Sequence, residues 1–363
     1  MTYKGAIIQH PAIQKFIPFL PLKSQMVIKG AMGRHLSLTG SPRFPGAATF
    51  PAMSALQMGV DLTYLLLPPE QNLLLLSRMK SSDLMVSPLP LYDEKNKSKF
   101  EFKNYSNNIT CIVFGPGLSR ITDLSYKNNS EARNFYKNSV LAQLNILLSS
   151  LDQNNKIPIV IDADGLFLIT QTKEQIENEE DYPWFDKVRS LFKQILKNGN
   201  DRIILTPNLN EYKYLESTIK NKVYDISDPQ NALMCLIKGH TDKIGFLTDN
   251  GFDQVLECDI DGGLKRCGGL GDCLTGCIST LLGWLESTNK SAKITKHDYL
   301  NGVFAGCSIM KLAGKRAFEE KGISCVAENV IAKIPQARQE ALGDFINRTE
   351  NINDTSTDKI TKQ

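Results

Sequence analysis

The stretch ITCIVFGPGLSR, residues 109–120, decides the fold. Its first six residues are a short apolar run rich in β-branched side chains, which is typical of a buried strand, and Gly115, Pro116 and Gly117 end the run. Apolar side chains then recur at helical spacing over residues 131–151. The pattern predicts a strand, a tight turn and a helix.

The same succession returns further along the chain. Residues 157–161 are a continuous apolar run that ends in Asp162, and residues 202–205 form another that ends before Asn208. Two shorter strands are predicted at 234–237 and 244–247, and a helix at 271–285. Continuous apolar strands between helices indicate an α/β fold with a mostly parallel sheet covered on both faces.

The length favours one large α/β domain, predicted over residues 1–345. Two polar segments, 77–108 and 171–200, are expected to be surface excursions. Residues 346–363 contain almost no large apolar side chains, so this tail is predicted to be disordered.

Composition excludes several classes of protein. Lys and Arg number 42 and Asp and Glu 39, so the net charge of +3 is too balanced for a nucleic-acid footprint. No apolar stretch reaches the roughly 20 residues that a membrane span needs, and no signal or transit pattern opens the chain, so a cytoplasmic protein is expected. The eight cysteines form no CxxC pair and are expected to be reduced, while the four scattered histidines argue against a zinc site.

The strongest chemical signal is KRCGGLGD, residues 265–272. Gly268, Gly269 and Gly271 stand immediately before a predicted helix, where backbone N–H groups and the helix dipole attract an anion such as a phosphate. Asp272 would then lie beside the phosphate and could accept a hydroxyl proton. A plain glycine turn with Asp272 as a capping residue explains the same pattern, and the residues alone leave both interpretations open.

Other phosphate motifs do not fit. Gly314 and Lys315 form the only GK pair, and no glycine stands five residues before Gly314, so there is no Walker A loop. Residues 115–120 carry the first two glycines of a dinucleotide fingerprint but have Arg120 at the third position. The catalytic-loop and metal-binding triplets of protein kinases are absent.

Polar residues follow several predicted strands. Asn208 and Glu211 have the spacing of a helix capping box, and they could also face a ligand at the carboxyl end of the strand. Asp162 and Asp164 could bind Mg²⁺ waters or polar substrate atoms, or cap the next helix, and they are not assigned a catalytic role. The segment KGHTD, residues 238–242, would bring an ammonium group to the same edge, although a solvated turn is the alternative.

In order and spacing, eight blocks together resemble the ATP-dependent NAD(P)H-hydrate dehydratases of eukaryotic type, within the ribokinase-like superfamily. The blocks are residues 29–41, 45–62, 113–120, 157–169, 204–215, 238–242, 265–276 and 303–324. The resemblance covers about residues 5–338 and implies a ribokinase-like three-layer α/β/α sandwich with a central, mostly parallel sheet. It also implies that both ligands bind at the carboxyl ends of the strands.

The reaction implied by the resemblance is ATP-dependent dehydration of the S form of hydrated NADH and NADPH (NADHX and NADPHX). ATP, with Mg²⁺ and with ADP as an alternative donor, phosphorylates the ring hydroxyl, and phosphate is then eliminated. The resemblance assigns catalysis to Asp272, Gly271 and Gly269. It assigns substrate binding to Gly117, Asn208, Leu209, Asn210, Glu211, Tyr212, Lys213, Tyr214 and Asp272. It assigns ATP binding to Lys238, Gly239, His240, Thr241, Asp242, Gly262, Gly263, Leu264, Lys265, Arg266, Cys267, Gly268, Gly269, Leu270 and Gly271.

The sequence says less about the binding partners and the metal ligands of the protein. The chain has no room for the epimerase that some relatives carry fused, so a separate NAD(P)H-hydrate epimerase is expected as the functional partner. Neither nucleic acid nor a membrane is expected as a partner. The metal ligands and the formation of a homo-oligomer stay open.

The sequence departs from the family pattern at three places. Ser119 stands where a glycine is usual, Leu270 where a glutamine is usual, and Gly46-Ala47-Ala48 replaces GAP. The backbone donors and Asp272 remain, so a working enzyme is predicted. The alternatives are a small-molecule kinase of the same fold, of the hydroxymethylpyrimidine or thiazole type, and a nucleotide-binding regulator without activity. The KGHTD and GPGLSR segments favour the dehydratase, and Asp272 argues against the regulator.

Overall fold

The computed structural model of the chain describes residues 6–95, 102, 108–151, 156–224, 226, 231–288 and 293–343. The tail predicted to be disordered, residues 346–363, lies outside this range. Within the described residues, nine strands form one sheet. They are β1 (Arg34–Leu38), β2 (Leu62–Leu67), β3 (Leu84–Pro88), β4 (Cys111–Phe114), β5 (Ile159–Ile161), β6 (Ile203–Leu205), β7 (Leu233–Ile237), β8 (Asp242–Thr248) and β9 (Gly251–Cys258).

Helices connect the strands and cover both faces of the sheet. They are α1 (Pro11–Phe16), α2 (Lys23–Met26), α3 (Pro45–Met58), α4 (Gln71–Lys80), α5 (Leu124–Lys127), α6 (Ser130–Leu151), α7 (Asp164–Thr170), α8 (Tyr182–Asn198), α9 (Leu209–Lys220), α10 (Leu270–Thr288), α11 (Lys296–Lys321) and α12 (Ala327–Leu342). No described helix is both long and apolar enough to cross a bilayer.

The strand order is β3-β2-β1-β4-β5-β6-β7-β8-β9. Every pairing from β3 to β7 is parallel, and β8 and β9 add an antiparallel hairpin at one edge. This topology confirms the predicted α/β fold with a mostly parallel sheet. Each strand predicted from the apolar runs is present within one or two residues of its expected bounds.

Alternate side chains of the central strands enter two separate cores. Ile159 and Ile161 of β5 pack with α6, α7 and α8, while Val160 between them packs with α10 and α11. Successive strand residues point to opposite faces of a sheet. The two cores therefore lie on the two faces, as a three-layer sandwich requires.

The expectation that residues 171–200 are a surface excursion is wrong. Helix α8 buries one complete face in the core, including Trp184, Phe185, Val188 and Phe192. Each such side chain contributes about 1.5–3 kcal/mol on burial, so the helix is a structural layer. Its polar outer face hid the helical spacing of the apolar side chains. The other polar segment, 77–108, likewise contains the edge strand β3.

Backbone hydrogen bonds continue past the ends of the central strands. Gly115 N donates to Leu38 O, Asp162 N to Phe114 O, and Lys238 N to Pro207 O. The residues that follow β4, β5, β6 and β7 are thereby held side by side at the carboxyl edge of the sheet. Parallel α/β sheets bind their ligands at this edge.

Candidate active site

The glycine loop ends where α10 begins, at Leu270. Gly269 has φ +87°, a backbone conformation that residues other than glycine rarely adopt. A Cβ atom at Gly268 would meet no atom within 4 Å, so the backbone at this position is open. Asp272 is the third residue of the helix and is therefore inside its first turn, not a residue that caps it from outside. An open backbone at the start of a 19-residue helix suits an anion.

Gly271 faces a buried ion pair. Lys238 Nζ donates to Asp162 Oδ1 at 2.6 Å, and the Asp162 side chain is almost fully buried. A Cβ atom on Gly271 would lie 3.2 Å from Lys238 Nζ and 3.3 Å from Asp162 Oδ2. Glycine at position 271 thus lets the first turn of α10 approach the pair closely.

The Lys238 ammonium lies among several carboxylates. Burial alone would lower the pKa of Lys238, but the charges of Asp162, Glu211 and Asp272 raise it. Lysine 238 therefore stays charged at neutral pH and partly compensates the negative groups around it.

Asp272 is the carboxyl group whose ionisation is most suited to proton transfer. Its pKa is raised to about 7, first by burial and next by the negative charge of Asp162, although the Lys238 ammonium opposes the rise. Burial and Asp162 also raise the pKa of Glu211. A carboxyl group that titrates near neutral pH can accept a proton and release it again.

The turn after β4 packs closely against its neighbours. A Cβ atom at Gly115 would lie 2.1 Å from Asp162 O, and one at Gly117 would lie 2.6 Å from Ala47 Cβ. Both glycines also have positive φ angles, +117° and +68°. The Gly46-Ala47-Ala48 segment at the start of α3 fits this turn because the facing residue, Gly117, has no side chain.

Ser119, at the position where the resemblance implies a glycine, has a left-handed backbone with φ +68°. Its hydroxyl hydrogen-bonds to the Ser41 hydroxyl at 2.8 Å, and its N–H donates to Asp164 Oδ2 at 2.9 Å. Tyr136 donates its hydroxyl to Ser119 O at 3.2 Å. These hydrogen bonds stabilise a left-handed backbone conformation that is energetically unfavourable for serine.

The residues after β5 are also held in a strained turn. Ala163 has φ +49° and ψ −119°, which is unfavourable for any residue with a side chain. On its two sides, Asp162 binds Lys238, and Asp164 accepts a hydrogen bond from Arg120 Nε at 3.1 Å. Neither aspartate side chain caps α7. Their partners, Lys238 and Arg120, lie on different segments of the chain.

The side chains of residues 208–214, which follow β6, differ in whether they line a cavity. Asn208 Oδ1 accepts hydrogen bonds from the N–H groups of Asn210 and Glu211, and Glu211 Oε2 accepts from Asn208 N at 2.8 Å, which confirms the predicted capping box. Asn208, Asn210, Glu211 and Tyr214 line a cavity along α9. Tyr212 instead packs edge-on against Phe252 and donates to Glu216. Leu209 and Lys213 are exposed.

This cavity has a volume of about 730 Å³ and lies between α7, α8, α9 and residues 172–175. Its walls combine aromatic and aliphatic side chains, among them Phe167 and Phe185, with Arg120, Lys173 and Arg189. The volume falls within the range of small-molecule and cofactor sites. Glu211 lines the cavity, and the charges of Asp162 and Lys238 shift its pKa. The cavity therefore adjoins the carboxylate cluster, by which we mean Asp162, Glu211 and Asp272 around Lys238.

The residues predicted to bind ATP are brought together elsewhere. Gly239 N donates to Asp242 Oδ1 at 2.9 Å, and Lys311 of α11 forms an ion pair with Asp242 Oδ2 at 3.4 Å. Gly263 packs against Gly314 of α11, where a Cβ atom would lie 2.5 Å from Gly314 O. Both predicted ATP segments are therefore fixed to the same helix.

The outer part of these ATP segments is accessible. His240, Leu264, Arg266 and Gly268 are exposed, and Lys265 donates to Ile323 O. Cys267 is half-buried, and Leu270 packs against the core of α10 and α11. In the described part of the chain, none of the predicted ATP residues lines the cavity along α9.

Sequence reasoning gave Asp162 no catalytic role and did not find Arg120, Phe167 or Arg189 as site residues. The sequence pattern predicted the end of the strand before Asp162, so the place of this residue at the carboxyl edge of the sheet could have identified it. The cavity residues lie on different helices and meet only after folding. All eight cysteines are free, and seven of them are buried.

Comparisons with known proteins identify the family. A family model described as NAD(P)H-hydrate dehydratase matches residues 36–336. The chain is 28% identical over 336 residues to an ATP-dependent (S)-NAD(P)H-hydrate dehydratase of Pediculus humanus subsp. corporis, an alignment that covers 91% of this chain and 97% of that protein. It is 29% identical over 337 residues to the protein of the same description from Dictyostelium discoideum, with 89% and 94% covered.

Solved structures show the same fold. A hypothetical protein from Streptococcus mutans superposes with a TM-score of 0.52 at 16% identity, covering 88% of this chain and 97% of that one. A ribokinase-like superfamily protein from Enterococcus faecalis also gives 0.52, at 15% identity, with 91% and 95% covered. The predicted ribokinase-like fold is confirmed, and the chain belongs to the NAD(P)H-hydrate dehydratase family.

Proposed function

We propose that this protein uses ATP to dehydrate the S form of hydrated NADH and NADPH, and so repairs damaged nicotinamide dinucleotides. The family match and the relatives' shared description support the reaction. The observation that carries the proposal is the position of Asp272, with its pKa near 7, in the first turn of α10 beside an open glycine backbone.

Asp272 is the proposed proton acceptor. The γ-phosphoryl group of ATP moves to the ring hydroxyl, which loses its proton to Asp272, and ADP leaves. The hydroxyl oxygen is then esterified, and phosphate is a much better leaving group than hydroxide. Breaking its carbon–oxygen bond, with loss of a proton from the neighbouring ring carbon, restores the double bond and releases phosphate.

The glycine backbone from Gly268 to Gly271 would stabilise the charge on the transferred group. Its N–H groups are fixed before the ligand arrives, so they need no reorganisation during the reaction. The ammonium of Lys238, held beside Gly271 by Asp162, adds positive charge at the same place. We assign the ATP contacts to residues 238–242 and 262–271, as the resemblance implies.

Magnesium would enter with the nucleotide. Among the described residues, no three His, Cys, Asp or Glu side chains come together to hold a metal ion. Mg²⁺ usually keeps several waters and binds one or two carboxylates together with substrate phosphates. Asp162, whose Oδ2 faces Gly271, is the carboxylate placed for such a contact. The Mg²⁺ ion, when bound, would neutralise phosphate charge.

The hydrated dinucleotide would reach Asp272 from the cavity side. Gly117, Asn208 to Tyr214 and Asp272 are the residues that the resemblance assigns to it, and Glu211 joins the cavity to the carboxylate cluster. The separate epimerase and the cytoplasmic location stay predictions from the sequence.

The experiment is an assay of purified protein with chemically hydrated NADH and each nucleotide in turn. We expect the near-ultraviolet absorbance band of NADH to return in the presence of ATP, with one ADP and one phosphate formed for each NADH. A stable phosphorylated product without NADH would instead identify a small-molecule kinase. No recovery with either ATP or ADP would refute the dehydratase proposal.

A further inference from the structure

The cavity along α9 is larger than the reacting ring of the substrate requires. Asn210, Tyr214, Ser217 and Asn221 all line it. Their spacing of three to four residues places them on one face of α9, from its first turn to the residue after its end. At a rise of 1.5 Å per residue, the 13 steps from Asn208 to Asn221 span about 20 Å. The cavity therefore extends far from Asp272.

The inner end of the cavity is the reacting end. Asn208, Glu211, Ala163 and Arg120 line it there, and Glu211 feels the charges of Asp162 and Lys238. The outer end is formed by Val223, Asn221 and residues 172–175. A ligand that places its ring at Asp272 and continues along α9 would therefore have its second half at the outer end.

Aromatic side chains offer flat apolar surfaces along this path. Phe167 of α7 and Phe185 of α8 line the cavity, and each has an arginine over its ring: Arg120 lies 4.3 Å from the Phe167 centroid and Arg189 4.9 Å from that of Phe185. Tyr214 is exposed in the opposite wall. Aromatic rings and guanidinium planes are the surfaces on which a purine base stacks.

The charges at the outer end favour an anion. Lys173 and Arg189 line the cavity there, together with the single carboxylate of Glu174. Lys173 Nζ lies 4.4 Å from the Tyr182 ring centroid, and Arg189 donates to Gln171 O, so both cations are positioned. Including Arg120 and Glu211, the lining carries one net positive charge. A phosphate beside the ribose would complement this charge.

We infer that the cavity along α9 binds the adenosine half of the hydrated dinucleotide, and that Lys173 and Arg189 favour the form with a 2′-phosphate, NADPHX. The inference rests on the proposed function for the identity of the ligand. It places the nicotinamide half at Asp272 and assigns Phe167, Phe185 and Tyr214 to the adenine.

The test measures binding, so it does not depend on turnover. Adenosine 2′,5′-bisphosphate, the adenosine half of NADPH, is titrated calorimetrically into the full chain saturated with a non-hydrolysable ATP analogue. Adenosine 5′-monophosphate serves as the probe without the 2′-phosphate. We expect the bisphosphate to bind at least about tenfold more tightly, because a charge-assisted contact to phosphate is worth about 1.5–3 kcal/mol.

Two kinds of variant locate the site. Ser217→Trp fills the middle of the cavity and should weaken bisphosphate binding at least about tenfold, while Lys220→Trp, on the same helix but outside the cavity, is the matched control. Lys173→Met and Arg189→Met should each bring the affinities for the two probes closer together. Because this readout is a ratio, general damage to the cavity would not produce the change.

The outcomes separate the two proposals. Dehydration of hydrated NADPH together with undetectable or Ser217→Trp-insensitive binding of the bisphosphate would overturn the cavity assignment and leave the proposed function standing. Bisphosphate binding that is lost in Ser217→Trp, without any dehydration, would do the reverse. An unchanged probe ratio in both Met variants would overturn the role of Lys173 and Arg189.

Discussion

The glycine loop before α10 and the cavity along α9 adjoin the same cluster of carboxylates, yet they differ in what they present to a ligand. The loop presents backbone N–H groups, opened by Gly268 and Gly269, at the start of one helix. The cavity presents side chains from three helices and from several of the segments that connect them to the strands. Backbone sites bind the part common to all nucleotides, the phosphates, whereas side chains can discriminate between ligands.

Backbone strain differs between the two regions as well. At the glycine loop the positive φ angle falls on a glycine, Gly269. At the turns beside the cavity, positive φ angles fall on Ser119 and Ala163 in addition to Gly115 and Gly117. Strain that is maintained by surrounding contacts is typical of functional sites. At these two non-glycine residues the cavity side therefore depends on tertiary contacts, while the loop has a glycine at its positive φ angle.

The largest effect is expected where the two regions meet, at Asp272. Asp272→Asn keeps the shape of the side chain but cannot accept the hydroxyl proton, so we expect turnover to fall about a thousandfold, within the range for a general base. Binding of ATP, measured by calorimetry, should persist. Asp253→Asn, an exposed aspartate on β9, is the control. A rate equal to that of the unmodified protein would remove Asp272 from the mechanism.

The pH dependence tests the electrostatics of the same carboxyl. Because Asp272 is active only when ionised, kcat/KM should fall about tenfold per pH unit as the pH drops below about 7. The Lys238 ammonium lowers this pKa, so Lys238→Met should move the acidic limb to higher pH. An activity that stays constant down to pH values near the ordinary aspartate pKa of about 3.9 would contradict the assignment.

Gly271→Ala tests whether the close approach of the α10 backbone to the Lys238–Asp162 ion pair matters for the use of ATP. The added methyl group would lie 3.2 Å from Lys238 Nζ and 3.3 Å from Asp162 Oδ2, so the ion pair or the helix must move. We expect kcat/KM for ATP to fall roughly ten- to a hundredfold, the range that a small misplacement causes. Gly268→Ala, which meets no protein atom within 4 Å, should lose less. Equal losses would show that the contact with Lys238 is unimportant.

Sequence reasoning reached the fold and the glycine loop because both are local patterns. Apolar runs closed by turn residues marked β4 to β6, and the spacing of glycines marked the start of α10. It missed α8, whose polar face dominates the composition, and it therefore missed Phe185 and Arg189 in the cavity. The pairing of Asp162 with Lys238 joins residues 76 positions apart. Such a contact depends on which strands are neighbours in the sheet. A local sequence pattern does not give that order.

Stability measurements can test whether the cavity side stores strain. Ala163 has φ +49° and ψ −119°, a conformation that glycine adopts far more easily. Ala163→Gly should raise the free energy of unfolding, measured with urea, by about 1 kcal/mol, since the relief of strain exceeds the greater freedom of glycine in the unfolded chain. A decrease in stability would show that the turn is relaxed with alanine.

Ser119→Gly is expected to have the smallest effect, although it also relieves a left-handed conformation, at φ +68°. The serine hydroxyl bonds to Ser41 at 2.8 Å, and Ser41 is itself buried, so its removal leaves a buried hydroxyl without this partner. That loss costs about 1–3 kcal/mol and offsets the relief. We expect no gain in the urea midpoint, in contrast to Ala163→Gly. A gain equal to that of Ala163→Gly would mean that the bond between Ser119 and Ser41 contributes nothing to stability.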